Sequence, residues 1–427
     1  MLVSASVAGD CFSGGQVAQP HRIIPIVEAS RIQTSGDRSV VWKGLQTLPP
    51  LTLYIHVPWC VRKCPYCDFN SHEAPADLPE ADYLAALTAD LEQALPHIWG
   101  RQIHAVFFGG GTPSLLSEQT MDQILSMVRA RVALWADAEI TIEANPGAAE
   151  IDRFKGYAAS GINRISLGIQ SLDDAQLIAL GRIHDVSQAL AAIEMARSSF
   201  GRVNLDLMYG LPGQSAEQWC QTLRQIRQFD TEHLSLYQLT LEPQTVFAKY
   251  PPVLPDEDVI DQMESVIQEE IVAQGWDRYE VSAYAKPGAT SRHNMNYWTF
   301  GDYLGIGPGA HSKISFPDRI VREARTRSPL QWMQRAVQWD GSHIPESVSI
   351  AEAELPFEFM LNALRLREGV SSSLFEQRTG MPLHQIHPQI QKAIDKGLLA
   401  PWADRIVASP LGWRHLNTLQ SQFLSES

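Results

Sequence analysis

The chain has 427 residues, 44% of them hydrophobic and 19% charged, and a formal net charge of −14. That length suits a large core and about two or three domains, and a surface this acidic excludes nonspecific nucleic-acid binding. No run approaches the roughly 20 apolar residues of a membrane-spanning helix. The five cysteines, odd in number with three crowded together, suit a reducing compartment better than a disulfide framework.

Residues 1–47 are rich in Ser, Gly, Gln and Val without period, and read as a disordered extension with no domain assignment. Their start has neither a basic segment nor a full apolar stretch, so no secretory signal is read and the expected compartment is the cytoplasm. From residue 48 short β-rich runs recur at 53–57, 105–108, 139–143, 164–169, 203–208 and 233–241. Helical spacing lies between them, as in Tyr83, Leu84, Leu87, Leu91 and Leu95, or Met121, Ile124, Leu125 and Val128. Six strand-and-helix units predict an α/β fold, a parallel sheet curled into a partial or full barrel over 48–285.

Ligands in such folds sit at the C-terminal ends of the strands, and each predicted end carries polar or glycine punctuation. The first opens into Cys60, Cys64 and Cys67, a Cys-x-x-x-Cys-x-x-Cys array. Three soft thiolates on one loop can hold three irons of a cubane and leave the fourth open; the alternative is a structural zinc loop, which needs a fourth ligand from elsewhere. The second opens into Gly109, Gly110, Gly111, Thr112 and Pro113, read as backbone brought close to a small ligand. No lysine follows in phosphate-loop spacing. Glu143, Gln170, Arg182 and Asp206 lie at or near further strand ends, where they can clamp the ribose, amino and carboxylate groups of a zwitterionic nucleoside, with Arg182 on the carboxylate.

Residues 286–345 are dense in aromatics and glycine and read as a connecting segment that covers a cavity. His293 and His311 are either satisfied buried histidines or axial ligands to a metalloporphyrin. Over 346–427 the pattern turns helical: Phe357, Met360, Leu361 and Leu364 share a face, two more helices follow, and 406–413 reads as a small hairpin. Three helices and a wing suggest a winged-helix-like module; without a basic recognition face it is read as a lid or docking domain.

These motifs together resemble the radical S-adenosylmethionine superfamily, and within it the branch of oxygen-independent coproporphyrinogen III oxidases and HemW-type heme chaperones. The resemblance spans about residues 51–419 and rests on the run from Tyr54 to Cys60, the cysteine array, Gly109 to Ser114, Glu143 to Gly147 and Asn204 to Pro212. It implies a radical-SAM barrel with a 4Fe-4S cluster on Cys60, Cys64 and Cys67. It further implies S-adenosylmethionine held by Tyr54, Gly110, Gly111, Thr112, Glu143, Gln170, Arg182 and Asp206. Oxidases of this branch carry another cysteine two residues after the third, where this sequence has Phe69, and the pattern His293, Asn294, Tyr297 and Trp298 is similar to the chaperone side. The expectation is a chaperone that takes heme as cargo, with His293 as its ligand, and delivers it to respiratory-chain hemoproteins, leaving peripheral membrane contact open. The alternatives are a coproporphyrinogen oxidase and a non-enzymatic, zinc-stabilised interaction scaffold.

Overall fold

A computed structural model describes residues 44–402 and 404–425. Twelve strands form one sheet: β1 (Leu51–Val57), β2 (Gln102–Gly110), β3 (Ala133–Ala144), β4 (Arg164–Gln170), β5 (Arg202–Tyr209), β6 (His233–Gln238), β7 (Asp277–Arg278), β8 (Ala283–Ala285), β9 (Asp302–Ile306), β10 (His311–Phe316), β11 (Arg319–Ala324) and β12 (Glu346–Ser349). Their spatial order is β12-β11-β10-β9-β1-β2-β3-β4-β5-β6-β8-β7. All six strands expected from the sequence are present, and β1 to β6 run parallel in chain order. The barrel is partial, because the order is linear and the two outer strands remain edges.

Parallel strands covered on both faces read as nearly continuous apolar runs. In β1 every residue but Tyr54 is buried, and β4 is buried from Arg164 through Ile169. Helices cover the outer face. In α1 (Glu80–Ala94) Tyr83, Leu87 and Leu91 are fully buried, and in α2 (Glu118–Arg131) so are Met121, Ile124, Leu125 and Val128. Ser117 caps α2 by accepting from Thr120 N at 3.2 Å, and its own N–H and hydroxyl donate to Glu80 at 2.6 and 2.5 Å, which ties the two helix starts together.

The stretch 286–345 is not a connector. A helix, α3 (Arg292–Trp298), leads into β9, which pairs in parallel with β1, and β10 to β12 continue from it as an antiparallel meander. Its glycines mark turns and close approaches: a Cβ on Gly305 would stand 2.1 Å from His311 O, and one on Gly307 2.5 Å from His56 O. Buried side chains weld this extension to the barrel. Asp90 of α1 accepts from Gly307 N at 3.0 Å, from Trp332 Nε1 at 3.2 Å and from Arg325 Nε at 3.4 Å, and His343 Nε2 lies 3.3 Å away.

The C-terminal region builds a second core from α4 (Leu355–Ala363), α5 (Ser372–Thr379) and α6 (His387–Asp395), with Trp298, Phe300 and Ile320 contributed by the sheet extension. The wing is smaller than expected, a two-residue ladder between Val370–Ser371 and Arg405–Ile406 plus a bridge from Leu399 to Ala408. Pro410–Arg414 is helical, since Ser409 caps it by accepting from Gly412 N. Of the expected N-terminal extension, residues 1–43 lie outside the described residues. Residues 44–47 belong to the fold, because Leu45 is buried in the second core and its N–H donates to Pro317 O at 3.0 Å. Among the described residues no helix is long and apolar enough to cross a membrane.

Candidate functional site

The loop after β1 carries the three thiols. Trp59–Cys60 pairs with His72–Glu73, and Cys67 N donates to Cys64 O at 3.1 Å, so the loop folds back on itself and holds Cys60, Cys64 and Cys67 free and half-buried. The glycine run after β2 clamps the root of this loop. Gly111 N donates to Val57 O and Thr112 N to Trp59 O, both at 2.7 Å, while a Cβ on Gly111 would meet Trp59 O at 2.5 Å. The glycine run thus has a structural duty beside any contact with a small ligand. Their demand for glycine comes first from backbone pressed against the cysteine loop. Gly110 has φ +115° and no room for a Cβ, which would stand 2.5 Å from the His56 ring. Gly110→Ala is expected to unseat His56 and the cysteine loop together and lower cluster retention at least several-fold, read as iron per chain after anaerobic reconstitution.

A continuous hydrogen-bonded chain joins two of the thiols through the strand ends. Arg182 Nη1 donates to Cys64 Sγ at 3.6 Å, and its Nη2 donates to Asn145 Oδ1 at 2.5 Å and to Gly168 O at 2.9 Å. Asn145 Nδ2 donates to Thr112 Oγ1 at 3.0 Å, and that hydroxyl donates to Cys60 Sγ at 3.5 Å. Arg182 Nε is buried without a partner, a donor left over for a carboxylate. Asn145 is the residue that sequence reasoning passed over as a functional group; its signal was its place in the Glu143 to Gly147 motif.

Two carboxyls face the interior beyond this chain. Glu143 Oε2 accepts from Gly110 N at 3.2 Å, and burial, reinforced by nearby Asp206, pushes its pKa up to about 7. Asp206 accepts from Ser166 Oγ at 2.8 Å and from Asn204 Nδ2 at 2.9 Å, and burial raises its pKa too. Gln170 closes β4 with φ +66°, and the ladder skips a residue between Gly168 and Gln170, a bulge that re-aims the strand end. On β1, Tyr54 Oη lies 3.0 Å from His56 Nδ1, and His56 Nε2 lies 2.9 Å from Asn70 O. Burial lowers the His56 pKa to about 4, so the imidazole is neutral at physiological pH. The carbonyl of Asn70 can only accept, so Nε2 carries the proton and Tyr54 donates to Nδ1.

His293 does not stand at this rim. It lies on α3, 4% exposed, stacked on Phe107 at 4.7 Å, with Tyr54 at 6.2 Å and Tyr297 at 5.0 Å. Its Nδ1 has no partner, and burial holds its pKa well below the usual imidazole value. His311 is exposed at the start of β10. The structure thus joins Cys60, Cys64, Thr112 and Arg182 through Asn145 in one hydrogen-bonded chain, with Cys67, Gly110, Gly111, Tyr54 and the carboxyls of Glu143 and Asp206 beyond it, while His293 stacks next to Tyr54 and His311 lies exposed.

The donor set fits a cluster. Burial raises the pKa of the Cys60 and Cys67 thiols, so they are protonated at neutral pH and must release protons to bind metal. Among the described residues no three His, Cys, Asp or Glu side chains converge as a single ion requires. A cubane gives each thiolate its own iron and tolerates wider spacing. The leftover Arg182 donor and the two interior carboxyls match a carboxylate and the ammonium and hydroxyl groups of a nucleoside.

A partial parallel barrel with three thiols on the loop after its first strand defines the radical SAM class. The Radical SAM superfamily model matches residues 54–226, and the HemN C-terminal domain model matches 350–415. The chain is 47% identical over 382 residues to "Heme chaperone HemW" of Escherichia coli (strain K12), covering 89% of this chain and 99% of that protein. It is 44% identical to the Haemophilus influenzae protein of the same name over 385 residues, with 89% and 99% covered. The solved structure of coproporphyrinogen III oxidase (HemN) from Escherichia coli superposes with a TM-score of 0.75 over 88% of this chain and 90% of that one; at 22% identity this shows the fold alone. The chain belongs to the HemW family of radical SAM proteins.

Proposed function

We propose that the protein is a heme chaperone that holds a 4Fe-4S cluster on Cys60, Cys64 and Cys67, binds S-adenosylmethionine across Tyr54, Gly110, Gly111, Thr112, Glu143, Gln170, Arg182 and Asp206, takes up heme, and passes it to respiratory-chain hemoproteins. The observation that carries the cofactor half is the hydrogen-bonded chain from Cys64 through Arg182, Asn145 and Thr112 to Cys60, which couples the thiol loop to the nucleoside residues. When bound, the pair supplies one-electron reduction of a sulfonium; these residues orient it and limit water. The heme half is supported by the relatives' shared name and by half-exposed Phe69 at the position where the oxidases carry a cysteine. Work in the cytoplasm, with peripheral contact at the membrane, fits the same reading.

Titrating the anaerobically reconstituted protein with heme is expected to give saturable, stoichiometric binding; no saturation, or efficient anaerobic conversion of coproporphyrinogen III, would sink the proposal. His293 is proposed as the axial ligand. Its ring must leave the Phe107 face to reach iron, so uptake is expected to be slow. His293→Ala should weaken heme binding at least tenfold and change its absorption spectrum. An unchanged spectrum and affinity would move the assignment to His311.

A further inference from the structure

Arg164 opens β4, one layer below the nucleoside residues. Its ladder partners are Thr141 of β3 and Arg202 of β5, and two residues along the same faces come Glu143 and Ser166, the latter bonded to Asp206. Arg164 therefore points into the barrel. It is 2% exposed, its Nε has no hydrogen-bond partner, and it joins no salt bridge among the described residues. Arg202 beside it is fully engaged, with Glu139, Glu232 and the carbonyls of Ala289 and Thr290. A buried guanidinium outside any salt bridge, with a donor left unpaired, is destabilising unless opposite charges nearby offset it.

The groups facing this interior are few. Tyr54 of β1 and Tyr237 of β6 are kept protonated by burial, and burial keeps His233 of β6 and His293 of α3 neutral. Tyr279, which lies 2.9 Å from His233 Nε2, is likewise held in its protonated form by burial. Glu139 is paired with Arg202, and Glu280 with Arg365 of the C-terminal region. That leaves the carboxyls of Glu143 and Asp206 as the negative groups without a cation of their own.

We propose that Arg164 is the buried counter-charge of the nucleoside site, a positioning residue that keeps Glu143 and Asp206 as carboxylates able to accept from the ammonium and hydroxyl groups of the ligand. The proposal rests on the nucleoside reading above. Burial raises both carboxyl pKa values, and Arg164 acts on each in the opposite sense. With Arg164 present Glu143 titrates at about 7. Loss of the cation moves that midpoint higher, so the ligand should bind worse near neutrality and regain affinity once the carboxyl ionises.

The test compares wild type, Arg164→Lys and Arg164→Gln as reconstituted holo-protein, with S-adenosylmethionine affinity measured by calorimetry between about pH 6 and about pH 9. Arg164→Gln is expected to bind about fivefold more weakly at about pH 7, about tenfold more weakly at about pH 6, and to approach wild type at the alkaline end, a midpoint raised by about one pH unit. Arg164→Lys should keep the wild-type midpoint. An Arg164→Gln affinity reduced by the same factor at every pH, or not reduced, overturns the proposal. Infrared titration of the Glu143 carboxyl in the apo-protein, identified by subtraction of Glu143→Gln, needs no ligand. If wild type fails to bind S-adenosylmethionine the nucleoside reading falls, while an infrared midpoint that stays put in Arg164→Gln overturns the Arg164 role separately. Should Arg164→Gln not fold, Arg164→Lys carries the test, and a midpoint moved by about one unit there overturns it.

Discussion

Cys64→Ala is expected to abolish stable cluster assembly, with iron and sulfide falling to background after anaerobic reconstitution while the fold persists. Cys64 lies mid-loop, half-buried, and its sulfur is the end of the Arg182 branch of the hydrogen-bonded chain. Two thiolates cannot hold a cubane well, and among the described residues no further cysteine stands ready: Cys220 sits on the helix Ala216–Arg227, where it contacts Glu270. Arg182 would keep its bonds to Asn145 and Gly168, so the barrel should survive, and near-ultraviolet circular dichroism should be little changed. A fully occupied cluster in Cys64→Ala would show that the ligand set is wrong.

Asp90→Ala should produce the largest loss of stability. The side chain is fully buried and satisfies Gly307 N, Trp332 Nε1 and Arg325 Nε at once. Without it Arg325 keeps Glu323 and Ser312, but the Gly307 amide and the Trp332 indole are left as buried donors without an acceptor. Breaking a buried pair from one side costs about 3–5 kcal/mol, a large share of a typical domain's stability. The urea midpoint should fall accordingly, and an unchanged midpoint would refute this role. The pH dependence follows from the sign of the shift. Burial alone would raise the Asp90 pKa, but Arg325 and His343 pull it below the ordinary value. Its contribution is therefore complete above the unfolded-state pKa of about 3.9 and is lost only in stronger acid, so the gap between wild type and variant should be constant through neutral pH.

The barrel was legible because its strands are buried on both faces and its helices on one, which writes apolar runs and a 3.6-residue period into the chain. The thiol loop was legible because three cysteines in eight positions have few other uses. What stayed hidden has physical reasons. Strands β10 and β11 carry Lys313, Ser315 and Glu323, and Arg325 follows β11; these buried polar groups are satisfied by partners such as Asp302, Asp90 and one another, so no apolar run marks the two strands. Leu45 is a lone apolar residue in a polar stretch, and the core it joins, with Phe300 and Phe359, is remote in sequence. At the site, the glycine run reads only as a ligand cradle, and its second duty, Gly111 packed against Trp59, shows only in the fold. Asn145 looks like a turn residue until its two bonds are seen.

The pairing of β1 with β9 also bears on how the protein is made. Of the strands of this sheet, β1 leaves the ribosome before the others, and β2 can cover one side of it early, but its other side waits for a partner some 250 residues later, as the bond from Thr52 Oγ1 to Asp302 O records. At a translation rate of about 5–20 residues per second that wait is on the order of 10–50 s. Through that interval the strand that launches the cysteine loop has an open edge, a surface prone to pairing with other chains. A transcript cut short before residue 302 would leave this edge permanently bare, so incomplete chains should aggregate rather than accumulate as folded barrels.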